Sequence, residues 1–116
     1  MNILVSFELA KLLKEKGFEE RTKSYTEDGK LVTISLTIRR FNLEKVYYPS
    51  PTIAEVVMWL YEKHEIWIEV SLDLSNTQMF DYEIQKKHFL KLSEERFNSP
   101  TEAYEAAIEY TLNNLI

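Results

Sequence analysis

The chain has 116 residues, no cysteine and a formal net charge of −5, with 45% hydrophobic and 28% charged residues. It is long enough to bury a core without disulfides or a structural metal. The lack of cysteine excludes thiolate zinc sites, iron–sulfur clusters and a cysteine nucleophile. The acidic balance argues against a generic DNA binder, which draws most of its non-specific affinity from basic residues on phosphates.

The N-terminal run MNILV has no basic residue before it and no small-residue cleavage pattern after it. No apolar run approaches the roughly 18–20 residues that span a bilayer. A cytoplasmic setting is the expectation.

SFELAKLLKEKGF predicts an amphipathic helix. Ser6 suits its N-cap, and Leu9, Leu12 and Leu13 repeat at helical spacing. Gly17 suits the left-handed residue after its end, with Phe18 folding back. Next, RTKSYTEDGKLVTISLTIRRF predicts a hairpin about Asp28-Gly29. A two-residue loop would set Tyr25 against Val32 and Lys23 against Ile34. The half-polar first strand reads as an edge.

After a connection around NLEKVYYPS comes TIAEVVMWLYEKH, a second helix. Ile53, Val56, Val57 and Leu60 form its core stripe, yet Ala54, Met58, Trp59 and Tyr61 make it apolar nearly all round. EIWIEVSLDL predicts a strand with Ile66, Ile68, Val70, Leu72 and Leu74 on one face and Trp67, Glu69, Ser71 and Asp73 on the other. MFDYEIQ alternates Phe80, Tyr82 and Ile84 against Asp81, Glu83 and Gln85. KKHFLKLS reads either as a fifth strand or as a short irregular segment. A last helix runs from about Pro100 to the end.

Residues 1–116 are therefore expected to form a single α+β domain. Its order is α-β-β-α-β-β-(β)-α: three helices on an antiparallel sheet of about four to five strands.

The tripeptide Ser-Pro-Thr occurs twice, before the second and last helices. Ser99 and Glu102 fit a capping box with Pro100 inside the first turn, whereas Thr52 and Glu55 fit one with Pro51 outside it. Both sites read as helix starts in different registers.

His64 and His88, the only histidines, lack metal-ligand spacing. No phosphate-binding loop, dinucleotide fingerprint or nucleophile elbow occurs. No catalytic residue, metal or cofactor is expected, and an enzyme is disfavoured. Two basic stretches with neighbouring aromatics, Arg39-Arg40-Phe41 and Lys86-Lys87-His88-Phe89, offer a nucleic-acid alternative. Met58, Trp59 and Trp67 exceed what one buried face needs, and aromatic and methionine side chains are enriched in protein interfaces. They are the candidate contact residues for a partner protein or a second copy.

FELAKLLKEKGF, PTIAEVVMWLYEKH followed by IWIEV, and FNSPTEAYEAAIEYTLNNLI come in this order along the chain. In this the chain resembles small uncharacterised proteins of Bacteroidetes genomes and their phages or mobile elements. That resemblance implies a bacterial or phage setting and carries over no catalytic residue. Members often have Gly between the helix-ending His and the next strand, where this chain has Glu65. The function expected is that of a small accessory protein acting by protein–protein contact or self-association. Nucleic-acid association is the alternative, and a small hydrolase a third and weaker reading.

Overall fold

The computed structural model describes residues 3–18, 23–26, 28–33, 48–73 and 75–116. It is an α+β structure with three helices and antiparallel strands among these residues. The elements are α1 (Phe7–Glu15), β1 (Lys23–Tyr25), β2 (Leu31–Thr33), β3 (Tyr48–Pro49), α2 (Ile53–His64), β4 (Trp67–Asp73), β5 (Asn76–Lys86), β6 (Phe89–Leu92) and α3 (Pro100–Asn114). The chain divides into two compact units, Leu4–Thr52 and Met1–Ile3 with Ile53–Ile116. Instead of one sheet of four to five strands, the described residues form two sheets of three, ordered β2-β1-β3 and β4-β5-β6.

In the N-terminal unit, the Ser6 hydroxyl accepts from the Leu9 amide at 3.2 Å and caps α1. Gly17, at φ 91°, ends the helix. The Phe18 amide donates to Leu13 O and the Gly17 amide to Lys14 O, the paired bonds of a Schellman motif. Leu9, Ala10 and Leu13 are buried.

The hairpin that follows differs from expectation in register and position. Tyr25 pairs with Leu31 and Lys23 with Thr33. The Thr26 amide donates to Lys30 O, and the Gly29 amide closes the turn on Thr26 O. This loop is one residue longer than a two-residue turn, and Gly29 supplies its positive φ of 84°. β1 is the central strand, not an edge, because β3 pairs along its other side. Among the described residues β3 is an edge strand, a position that tolerates Pro49.

In the C-terminal unit, α2 and α3 pack on β4, and α3 also on β5. Ile53, Val56, Val57 and Leu60 of α2 are buried as the stripe predicts. Ala103, Ala107, Ile108, Thr111 and Leu112 are the buried positions of α3, where two alanines allow close approach to the sheet. The buried Thr111 hydroxyl is satisfied by donating to Ala107 O at 2.8 Å.

The two helix starts differ as expected. Pro100 lies in the first turn of α3, while Pro51 precedes α2. The Ser99 hydroxyl accepts from the Glu102 amide. The return bond differs, since Glu102 Oε2 accepts from the Asn98 amide rather than that of Ser99.

α2 ends at Glu65, which takes φ 57° without being glycine. Its amide donates to Tyr61 O and the Ile66 amide to Leu60 O, so two bonds close this left-handed helix end. A side chain in this region costs roughly 1 kcal/mol, partly offset when glycine enters by the extra freedom of the unfolded chain. Glu65→Gly should stabilise the protein by about 0.5–1 kcal/mol, read as a higher melting midpoint by circular dichroism. An unchanged or lower midpoint would count against this cap geometry.

β4 and β5 form a long ladder from Trp67↔Gln85 to Leu72↔Phe80, with an irregularity between Leu72 and Asp73. Ile66, Ile68, Tyr82 and Ile84 are buried on the helix side. The pattern fails at the far end of β4, where Leu72 is 48% exposed and Asp73 is buried. The register shift re-aims the strand there. Leu74 lies outside the described residues. KKHFLKLS resolves as a strand. Lys86 pairs with Phe89 across a turn in which His88 holds φ 63°.

Asp73 is held by the loop it begins. Its Oδ1 accepts from the Ser75 hydroxyl at 2.8 Å and the Ser75 amide at 2.9 Å, and Arg96 ion-pairs with Oδ2. The Ser75 hydroxyl, then the Ser75 amide and the Arg96 charge, keep this carboxyl below the ordinary aspartate pKa despite its desolvation. A folded pKa below the unfolded one stabilises above the unfolded value, and that stability is lost as pH falls through the folded value. Asp73→Asn should therefore melt below wild type at pH 7, with the gap closing below about pH 4. A gap independent of pH would show that the charge is not what matters.

Candidate functional site

Among the described residues the candidate surfaces lie on the β4-β5-β6 sheet and its helices. The first is the sheet face away from α2 and α3. Strand alternation and register place Trp67, Gln85 and Leu90 in one row there, and Glu69, Glu83 and Leu92 in the next. Leu90 and Leu92 are 58% and 59% exposed. Trp67 is half-buried, its ring edge-on to Tyr61 with centroids 5.4 Å apart.

β6 adds an open backbone edge to this face. The Ser93 amide donates to Tyr82 O, and Phe80 and Phe97 exchange both backbone bonds. In an antiparallel ladder such pairs alternate. Phe89 and Lys91 therefore turn their backbone groups to β5, and Leu90 and Leu92 turn theirs outward. Among the described residues no strand pairs with that outer side.

Lys91 points to the helix side of the same strand. Its ammonium lies 3.5 Å from Glu94 and 5.2 Å from the centroid of the Tyr110 ring. Here β6, the loop after it and α3 enclose a groove of about 380 Å³ lined by Tyr82, Lys91, Glu94, Phe97, Glu109 and Tyr110. Phe97 stacks on Tyr82 at 5.8 Å. Tyr82 is 9% exposed. Its amide donates to the Ser93 hydroxyl, while its own hydroxyl has no hydrogen-bond partner among the described residues. Burial raises the pKa of this phenol; Lys91 opposes the rise, and Tyr110, Glu94 and Glu95 add to it. The phenol therefore stays protonated and able to donate.

Of the residues singled out from sequence, Met58 is 45% exposed on α2. Trp59 is half-buried, with its ring edge-on to His64 at 4.9 Å. α2 packs on β4 and α3, so Met58 and Trp59 do not join the β6 edge, whereas Trp67 shares a sheet face with Leu90.

Lys86 and Lys87 are exposed at the β5–β6 turn, and Lys86 Nζ donates to Leu115 O at 3.3 Å. Arg39 and Arg40 lie outside the described residues, as does any patch they would form with the lysines. His64 ends α2 as expected. His88 borders a shallow, open depression with Glu83, Gln85 and Phe89. Among the described residues no three metal-ligating side chains cluster, and no helix is long and apolar enough to cross a membrane.

Sequence reasoning missed the leucines of β6 and the groove. The first lacked a glycine to mark the turn at His88. The second joins residues that only the fold brings together.

No protein-family model, curated protein or solved structure matches this chain.

Proposed function

We propose that this chain acts by protein–protein contact through the β6 edge of its C-terminal unit, and that the first occupant of that edge is a second copy of the same chain. The observation that supports this reading is the pair of exposed leucines, Leu90 and Leu92, whose backbone groups face the outer side of β6, where no strand pairs among the described residues.

An inverted copy fits this edge by symmetry. A two-fold axis between the two Lys91 residues sets Leu90 opposite Leu92 of the second copy, and the reverse. Both pairs form backbone hydrogen bonds, and all four leucines share one sheet face. The sheet then continues through six strands, with Trp67 flanking the leucines across Gln85 on each side.

Lys91 opposes this contact, because like charges face each other across the axis. Inward-pointing lysine is a common device for blunting an edge. Glu94 and the Tyr110 ring hold its ammonium along the helix side, which reduces the repulsion. A four-residue strand buries little area, so a weak, concentration-dependent dimer is the expected form.

Light scattering across a concentration series tests the reading. Mass should rise from monomer to dimer, and more readily at raised salt as the Lys91 charges are screened. A monomer at every concentration and salt level rejects self-association. A bacterial or phage accessory role belongs to this same proposal and rests on the sequence resemblance alone.

A further inference from the structure

The groove between β6 and α3 differs in chemistry from the open edge, and it does not depend on edge pairing. Its mouth carries Glu94, Glu95 and Glu109 against one ammonium, Lys91. Two tyrosines and Phe97 supply aromatic walls, and Ala106 leaves room on the α3 side. Lys91 already sits at cation–π distance from Tyr110, 5.2 Å from the ring centroid. The protein's own ammonium thus occupies the kind of position that an incoming cation would take. Tyr82, 9% exposed as a residue, lines the same groove and is stacked there on Phe97.

We infer that this groove is a binding site for an organic cation, an alkylammonium or guanidinium group, seated on the Tyr110 ring between the Glu94 and Glu109 carboxylates. Lys91 acts as a resident competitor that the ligand displaces. A ring face attracts cations through its quadrupole, and the exposed carboxylates at the rim add charge attraction that salt screens. Tyr82 and Asn113 supply polar contacts for whatever carries the charge. A free amine and a lysine or arginine side chain of a polypeptide present the same head group. The proposal covers that shared chemistry.

The sign of one substitution separates this site from its opposite. If the groove takes a cation, Lys91→Met removes both the competitor and the like charge, and binding should tighten several-fold. If it takes an anion, Lys91→Met should weaken binding. Nuclear magnetic resonance titration of the full chain reads this directly at Tyr82, Tyr110 and Asn113. Agmatine represents the free amine, N-acetyl-arginine amide the polypeptide side chain, and butyrate and butanol the anionic and neutral controls.

Saturable shifts are expected with agmatine or the arginine amide and none with the controls, and the better of the two cations identifies the source. Glu109→Gln should weaken binding a few-fold, and Tyr110→Leu should weaken it further. The amide spectrum of each variant checks its fold. No saturable shift with either cation, or weaker binding by a folded Lys91→Met variant, overturns the inference.

Discussion

Leu90→Pro should abolish self-association while leaving the fold nearly intact. The Leu90 amide points away from β5, so proline there removes no hydrogen bond from the β5–β6 ladder. The preceding residue, Phe89, is already in a strand, the conformation that proline imposes on its neighbour. The open edge loses a donor, and the pyrrolidine ring obstructs the approach of a second strand. A shift of a few degrees in the melting midpoint is expected, together with at least a tenfold weaker dimer in sedimentation or light scattering.

Lys91→Pro, one residue on, is the control. The Lys91 amide faces Ile84 across the ladder, so proline there breaks an internal bond and should cost far more stability. If Leu90→Pro dimerises as well as wild type, β6 is not the interface. If the two prolines destabilise equally, the assignment of inward and outward amides is wrong.

Ile84→Ala should destabilise the protein by about 3 kcal/mol. Ile84 is fully buried near the end of β5, the central strand of its sheet, opposite Ile68 and Lys91 in the two ladders. Alanine leaves a cavity that a strand fixed on both sides cannot close, so the loss exceeds the transfer term for the missing carbons. Since whole domains are stable by about 5–15 kcal/mol, a large part of the margin would go. Leu72→Ala, on an exposed residue, should cost well under half as much. Urea unfolding of both variants checks the contrast, and equal losses would place Ile84 outside the core.

Local signals in the sequence were read correctly where one short stretch determined the geometry. Ser6, Gly17 and Ser99 each fix a helix end through bonds to neighbours a few residues away. Alternation along Ile66 to Val70 and Phe80 to Ile84 gave the right inner face because those strands pack against helices. The hairpin register was misjudged because Asp28-Gly29 suits a two-residue turn, yet the observed turn spans Thr26 to Lys30.

The expected single sheet failed for a different reason. Which strands become neighbours depends on pairing between distant segments, and nothing in the pattern of β1 signals Tyr48–Pro49 beside it. Glu65 and His88 conceal two tight turns, since both take positive φ angles that sequence reading reserves for glycine.

The contact face was half legible. Trp67, like Glu69, alternates with the core-side Ile68, yet its ring also meets Tyr61 of α2. Leu90 and Leu92 were passed over because an alternating FLKL segment looks the same whether its leucines face a core or water. The groove could not be read at all. Tyr82, Lys91 and Tyr110 lie on three different elements, and the charge and ring contacts among them arise only after folding.

The course of the chain after β6 has a consequence for how such a sequence can change. Pairing with β5 is interrupted after Ser93, opposite Tyr82, and resumes at Phe97, whose two backbone bonds to Phe80 set it two residues out of the β5–β6 register. Glu94 to Arg96 therefore form an excursion clamped at both ends. Length changes between the clamps are absorbed locally, without shifting any strand or the start of α3. Over evolutionary time, residues inserted or deleted here can reshape the rim of the groove while the sheet beneath it stays the same, so specificity can drift in a lineage without a new fold.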